Sequence, residues 1–129
     1  MATIEVSNDN LEQVLTDNEI VLLDFWAEWC NPCRQFGPIF EKVSDAHPDI
    51  AFGKIDTEAN QQLAAAAGIS AIPTLMIFRE GIPVFTHSGL LPEAALEDLV
   101  SQVAALDMDE VRAKAAEMDD PKPADGAQL

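Results

Sequence analysis

Runs of apolar residues along the chain predict five β-strands. A near-continuous apolar run over Ile20–Ala27 is typical of a strand that is buried on both faces of a sheet. Four shorter runs predict strands over residues 4–6, 51–56, 74–78 and 83–87. The last two runs flank Arg79-Glu80-Gly81, which is a turn sequence, so we expect those two strands to form a hairpin.

Apolar residues at helical spacing predict the helices between these strands. One helix follows a cap at Asn8 or Asp9, and another follows residue 33 as far as about Ala46, with a bend at Pro38. An alanine-rich helix is predicted over Glu58–Ala67. The closing helix carries one apolar face, formed by Leu96, Leu99, Val100 and Val103. The predicted order is β-α-β-α-β-α-β-β-α, an α/β protein.

A further helix is predicted near the C-terminus. Asp107 and Glu110 have the spacing of a capping box, and Val111, Ala115 and Met118 then recur on one face. Prolines and charges from residue 119 onward are typical of a disordered tail. We therefore expect a domain over 1–106, an extra helix over 107–118 and a tail over 119–129. The helix either packs on a surface or docks a partner.

Composition and charge limit the environment and the partners. A chain of 129 residues is long enough for one domain with its own core. The net charge of -16 argues against binding to nucleic acid or to anionic membranes. We find no signal-peptide pattern and no apolar stretch of membrane-spanning length. We therefore expect a cytoplasmic protein, in a compartment where ordinary disulfides are reduced.

Both cysteines of the chain lie in the sequence W-C-N-P-C over residues 29–33, which permits three interpretations. A structural disulfide is disfavoured by the compartment, and so small a loop stabilises the fold by only roughly 2 kcal/mol. A metal site is disfavoured because His47 and His87 lack ligand spacing, although a metal shared between two chains stays open. A redox-active pair is the favoured interpretation.

The position of the pair supports redox chemistry. Pro32 suits the first turn of a helix, so Cys30 is expected at the helix N-terminus, where free N–H groups and the helix dipole stabilise a thiolate. Cys33 lies one turn further on the same side. We expect the Cys30 sulfur to be exposed and nucleophilic, and Cys33 to resolve the mixed disulfide.

At this point the chain resembles the thioredoxin family. The sequence V-L-L-D-F-W-A-E-W-C-N-P-C-R over 21–34 is similar to the family's active-site segment, and G-I-S-A-I-P-T over 68–74 to the loop before its cis-proline. Gly81, Gly89, Lys54 and Asp56 also fall at matching positions. The resemblance spans about 3–105. It implies the thioredoxin fold, a central mixed β-sheet flanked by helices, and a thiol–disulfide oxidoreductase that reduces protein disulfides.

The resemblance also implies roles for individual residues. Cys30 is the attacking thiolate, Cys33 the resolving thiol, and the two form the redox disulfide. Asp24 lies inside an apolar run, so desolvation should raise its pKa and make it a proton acceptor for Cys33; from the residues alone, an Asp that only bonds nearby backbone is equally possible. Lys54 either pairs with Asp24 and tunes it or is a surface lysine.

The substrate-binding residues implied by the family surround the cysteines: Trp29, Asn31, Pro32, Ile72, Pro73 and Gly89. Trp29 is expected to form an apolar lip, with Trp26 packed beneath the site or in the core. A cis bond before Pro73 would leave the backbone of Ile72 open to pair with an extended client. Gly89 and Leu90 either complete the docking surface or form a plain turn. Asn31 stands where the family usually has glycine.

Electrons must come from another protein, because the chain has no cofactor-binding motif. The resemblance implies a thioredoxin reductase that uses FAD and NADPH, and clients that contain disulfides. We expect no bound cofactor and no metal. The alternative function is a thioredoxin-fold chaperone or client-binding module whose redox activity is secondary.

Overall fold

The structure is a computed structural model, and it describes residues 2–119. Five strands and five helices follow one another along the chain. Their bounds are β1 (Thr3–Glu5), α1 (Leu11–Asp17), β2 (Ile20–Trp26), α2 (Asn31–Ala46), β3 (Ala51–Asp56), α3 (Gln61–Ala66), β4 (Thr74–Arg79), β5 (Ile82–Ser88), α4 (Glu93–Ala104) and α5 (Met108–Asp119). The predicted element order is confirmed.

The strands form one mixed sheet in the order β1-β3-β2-β4-β5. β3 pairs in parallel with both β1 and β2, whereas β4 pairs antiparallel with β2 and β5. β2 lies at the centre, and its residues Ile20–Phe25 are buried, as its near-continuous apolar sequence predicted. The strand therefore delivers the segment that follows it, residues 27–30, to one end of the sheet.

A hydrophobic core lies on each face of the sheet. On one face, Phe36 and Phe40 of α2 pack with Leu22, Phe52 and residues of α4. The rings of Phe40 and Phe52 meet edge to face, with centroids 5.2 Å apart. On the other face, β2 contributes alternate residues to a second cluster beneath α1 and α3: Val21, Leu23 and Phe25. Packing on both faces holds α2, and with it the cysteines, against the sheet.

The first helix begins later than predicted. Asn10, not Asn8 or Asp9, occupies its N-cap position, and no side chain caps the helix there. The Asn10 side chain instead accepts a hydrogen bond from the Ser7 N–H at 2.8 Å and donates one to the Glu5 carbonyl at 2.9 Å. These contacts join the end of β1 to the turn before α1.

The third helix begins at Gln61, so the predicted start at Glu58 was wrong. Asp56, at the end of β3, accepts hydrogen bonds on one carboxylate oxygen from the N–H groups of Glu58 at 2.9 Å and Ala59 at 3.4 Å. This side chain holds the first residues in a turn, since an aspartate can satisfy backbone donors in place of a helix. The turn lies beside the cysteine segment.

The fifth helix packs against the edge strand β5. Asp107 accepts from the N–H groups of Asp109 and Glu110, which confirms it as the cap, and Met108 is buried. Arg112 bonds both Asp109 and Glu80 of the β4–β5 turn. The tail was predicted from residue 119, but α5 extends to Asp119. The rest of the predicted tail, residues 120–129, and the side chain of Met118 lie outside the described residues.

Candidate active site

A disulfide joins Cys30 and Cys33, whose Cα atoms are 5.2 Å apart. Cys30 is the N-cap residue of α2, and Pro32 lies in the first turn, as the sequence predicted. The N–H of Cys33 donates to the Cys30 sulfur at 3.2 Å. This N–H belongs to the first turn of the helix, where N–H groups have no partner within the helix. The same donor would stabilise a Cys30 thiolate in the reduced protein.

The two cysteine residues are buried to nearly the same extent in the disulfide form. Cys30 is 3% exposed and Cys33 is 4% exposed, so the expectation of an exposed Cys30 sulfur was wrong for this form. Both pack with Ala27, and Trp26 and Ile72 close this small cluster. Their positions in the helix distinguish them instead, because Cys30 sits at the helix end and Cys33 within the first turn.

The loop before β4 faces the disulfide. The Ile72–Pro73 bond is cis, as the resemblance implied, and the Ile72 carbonyl oxygen lies 3.7 Å from the Cys30 sulfur. The N–H of Gly89 donates to the Pro73 carbonyl at 2.8 Å, which ties the end of β5 to this loop. Within residues 2–119, no hydrogen bond engages the N–H of Ile72. A backbone donor is therefore open beside the reactive sulfur.

Exposed residues surround this position. Trp29 is 66% exposed and Leu90 is 43% exposed, two of the three large apolar side chains that stand exposed within residues 2–117. Asn31, Pro32 and Gly89 are exposed as well. Gly89 has a φ of 110°, a conformation that favours glycine. The structure thus brings the predicted substrate-binding residues to one end of the molecule.

Asp24 is completely buried, and neither of its carboxylate oxygens has a hydrogen-bond partner within residues 2–119. This excludes the alternative that the side chain only bonds nearby backbone. Burial raises the pKa of Asp24 from 3.8 to about 7, and the positive charge of Lys54 lowers it in part. A carboxyl group with a pKa near neutrality is suited to accept and return protons.

Lys54 is the register partner of Asp24 on β3. Side chains alternate along a strand, and Leu22 and Phe52 point toward α2, so Asp24 and Lys54 point toward α2 as well. The predicted direct pairing is not formed, because Asp24 has no bonding partner within residues 2–119. The Lys54 ammonium instead lies 5.2 Å from the ring centre of Trp26. It lines an open pocket of about 650 Å³ that also reaches Cys33 and Gly37.

Sequence reasoning missed one residue of the site, Glu58. Its carboxylate accepts a hydrogen bond from the indole N–H of Trp29 at 3.1 Å. The signal available in the sequence was Asp56, a residue type that starts turns, directly before Thr57 and Glu58. The alanines that follow favour a helix, so the helix was predicted to begin at Glu58 and the turn was not recognised.

The described part of the chain contains neither a cluster of possible metal ligands nor a helix suited to span a membrane. Within residues 2–119, no group of three or more His, Cys, Asp or Glu side chains is arranged to hold a metal ion. In the same range, no helix combines the length and the apolar character needed to cross a membrane.

The family model described as Thioredoxin matches residues 2–102. This protein belongs to the thioredoxin family. It is 60% identical over 116 residues to a Streptomyces coelicolor protein named "Putative thioredoxin 2", an alignment that covers 90% of this chain and 87% of that protein. It is 36% identical over 103 residues to the thioredoxin of Alicyclobacillus acidocaldarius, with 79% of this chain and 98% of that protein covered.

A solved thioredoxin structure shows the same fold. A mutant thioredoxin from Halobacterium salinarum superposes with a TM-score of 0.75 at 39% identity, over 81% of this chain and 92% of that one. The Streptomyces alignment includes most of α5: it takes in 116 of 129 residues, so even an alignment that began at residue 1 would extend to residue 116. The thioredoxin resemblance therefore reaches beyond the family model for this relative.

Family membership and the disulfide together establish the activity. The protein is a thiol–disulfide oxidoreductase, and Cys30 and Cys33 are its thioredoxin CxxC pair. The alternative, a client-binding module with secondary redox activity, gains no better support from the structure or from the relatives.

Proposed function

We propose that this thioredoxin works as a general reductant of protein disulfides. The observation that carries the proposal is the Cys30–Cys33 disulfide at the start of α2, with a helix N–H directed at the Cys30 sulfur. Asn31, between the cysteines, adds no positive charge of the kind that a histidine there would bring. Asn31 therefore adds no charge that would stabilise the reduced Cys30 thiolate, and it is this stabilisation that makes a CxxC disulfide a strong oxidant.

The reaction consists of two exchanges. The reduced Cys30 thiolate attacks one sulfur of the client disulfide, the client S–S bond breaks, and a mixed disulfide forms while the other client sulfur leaves and takes up a proton. Cys33 then loses its proton and attacks the Cys30 sulfur. The Cys30–Cys33 bond forms, the second client thiol leaves, and two electrons have passed to the client.

Asp24 is the proposed proton acceptor for Cys33, directly or through a water molecule. A pKa of about 7 leaves this carboxyl group partly ionised near neutral pH. It can therefore take the proton when Cys33 attacks and lose it again before the next cycle. Lys54, on the neighbouring strand, tunes this equilibrium through its positive charge.

The client docks on the exposed rim of the site. An extended client segment accepts a hydrogen bond from the free N–H of Ile72, in the manner of an added strand. Trp29, Gly89 and Leu90 provide the apolar contacts on either side. In this proposed arrangement, a client sulfur lies against Cys30.

The electrons come from a partner, which we propose to be a thioredoxin reductase that carries FAD and uses NADPH. The proposed location is the cytoplasm, where such a reductant keeps the thiols of its clients reduced. The clients are proteins with accessible disulfides.

Insulin reduction with dithiothreitol as terminal reductant tests the proposal. The wild type should accelerate precipitation of the insulin B chain, and Cys30→Ser should abolish this. Cys33→Ser should instead accumulate a mixed disulfide with the client, because the resolving thiol is absent. In the reduced protein, iodoacetamide should label Cys30 much faster than Cys33. Equal labelling rates would contradict the assignment of Cys30 as the nucleophile. A mixed disulfide trapped by Cys30→Ser would reverse the roles of the two thiols.

A further inference from the structure

Trp29 is an exposed aromatic ring held by a specific hydrogen bond. The side chain directly precedes Cys30 and is 66% exposed, so little packing restrains it. Its indole N–H nevertheless donates to the Glu58 carboxylate at 3.1 Å, across 29 residues of sequence. A bond from an indole to a charged acceptor is stronger than a neutral one, and it restricts the ring to one orientation.

The turn that carries Glu58 is itself fixed to the active-site strand. Thr57 donates twice to the Trp26 carbonyl at the end of β2, from its N–H at 2.9 Å and its hydroxyl at 3.1 Å. Asp56 accepts from the N–H of Glu58, and Asn60 donates its amide to the Asp56 carbonyl. Glu58 thus lies in a hydrogen-bonded turn that follows β3 and is joined to β2, and none of these bonds involves α2.

The segment on the other side of the indole is anchored as well. Arg34 of α2 donates to the Glu28 carbonyl at 2.9 Å, and the Cys30 N–H donates to the Ala27 carbonyl at 3.2 Å. The backbone around Trp29 therefore does not depend on Glu58. What Glu58 controls is the direction of the ring.

We infer that Glu58 is a positioning residue for client docking, which acts by holding the Trp29 ring beside the reactive sulfur. The inference rests on the proposed role of Trp29 as a client contact. A fixed ring loses less conformational freedom when a client covers it, so preorganisation favours binding of a protein client. A small disulfide that reaches Cys30 without touching the ring does not benefit.

The test compares two oxidants of the reduced, desalted protein: insulin and the small molecule hydroxyethyl disulfide. Single-turnover rates are measured by acid quench and mass spectrometry for the wild type and for Glu58→Ala, Glu58→Gln and Glu28→Ala. Glutamine keeps an acceptor oxygen without the charge. Glu28 lies in the same pocket beside Trp29, so Glu28→Ala removes an equal charge without removing the indole bond.

Glu58→Ala should lower the insulin rate about fivefold, the effect of one hydrogen bond of ordinary net strength, and leave the rate with hydroxyethyl disulfide unchanged. Glu58→Gln should lose less of the insulin rate than Glu58→Ala, because a neutral acceptor keeps a weaker bond, and Glu28→Ala should stay near wild type; both should match the wild type with hydroxyethyl disulfide. An unchanged insulin rate in Glu58→Ala would overturn the inference. Equal losses in Glu58→Gln and Glu28→Ala would assign the effect to charge and overturn it also.

A spectroscopic measurement isolates the ring. The chain has two tryptophans, so indole NMR gives two N–H signals, which Trp29→Phe assigns. Glu58→Ala should speed solvent exchange of the Trp29 indole proton alone. In the Trp29→Phe background, Glu58→Ala should cause no further loss with insulin; a full further loss would contradict positioning through the indole. A wild type that fails with hydroxyethyl disulfide would instead refute the proposed thiol chemistry.

Discussion

Asp24 and Lys54 face each other on neighbouring strands, yet the lysine does not bond the carboxylate. The Asp24 carboxyl group is buried without a partner among residues 2–119, and the charge of Lys54 offsets only part of the desolvation that raises its pKa to about 7. The Asp24 carboxyl group is therefore kept able to titrate near neutral pH at a cost in stability, since a direct ion pair would have lowered the pKa.

Asp24→Asn should stabilise the protein above neutral pH and flatten its pH dependence. The folded-state pKa exceeds the unfolded value of 3.8. Protonated Asp24 therefore contributes stability that is complete below about pH 4 and is lost as pH rises to about 7. A difference of about three pKa units corresponds to about 4 kcal/mol. Urea unfolding at about pH 5 and about pH 8 measures both effects, with exposed Asp9→Asn as the control. An equal change in the free energy of unfolding between the two pH values in wild type and Asp24→Asn would refute the predicted contribution of Asp24.

The same substitution should slow the second exchange of the catalytic cycle. Without a carboxylate to accept its proton, Cys33 attacks less readily, so the mixed disulfide should accumulate during insulin reduction. Quenched samples analysed by mass spectrometry report the amount of mixed disulfide. Asp9→Asn should behave as the wild type does, and turnover by Asp24→Asn that matches the wild type at every pH would exclude the role.

Lys54→Met should raise the pKa of Asp24 above its present value of about 7, because the cation that lowers it is removed. The pH at which stability stops falling should move upward accordingly. NMR titration of the labelled Asp24 carboxyl carbon measures the shift directly. Lys42→Met is the matched control: Lys42 lines the same pocket but pairs with Glu93 at 3.2 Å. An equal shift in both variants would show a general charge effect.

Two glycines should respond in opposite directions to alanine. Gly37 lies inside α2, and an added Cβ would meet only the Lys54 ammonium at 3.5 Å, so Gly37→Ala should stabilise by about 0.5–1 kcal/mol through helix propensity. At Gly53 in β3, a Cβ would lie 2.6 Å from Val6 and 3.0 Å from Leu23. Gly53→Ala should therefore destabilise by about 1–3 kcal/mol. Thermal unfolding of both variants checks the signs.

Deletion of residues 107–129 should leave insulin reduction intact, because the active site lies on β2, α2 and the loop before β4. The truncated protein loses the buried side chain of Met108 and the contact of Arg112 with Glu80. Burial of one such apolar side chain suggests a loss of about 2–3 kcal/mol. Melting temperature and sedimentation compare the two chains. Failure to fold would place α5 within the core and contradict the boundary at residue 106.

The sequence by itself determined the elements and the chemistry that depend on local pattern. The apolar run of β2 predicted its burial, and an aspartate within that run predicted a raised pKa at Asp24. A proline directly after Cys30-Asn31 predicted that the helix starts there. These features depend on residues a few positions apart, so periodicity and caps are sufficient to identify them.

Only the tertiary structure decided which distant residues meet. Strand register sets Lys54 opposite Asp24 without a bond, and the contact of Glu58 with Trp29 spans 29 positions. The start of α3 depends on both kinds of contact: the Asp56 carboxylate satisfies the nearby N–H groups of Glu58 and Ala59, a local signal, and Thr57 bonds Trp26 on another strand. Helix propensity favours a start at Glu58, but the Asp56 turn and the bonds of Thr57 to β2 together outweigh it, and packing alone places β2 within reach of Thr57.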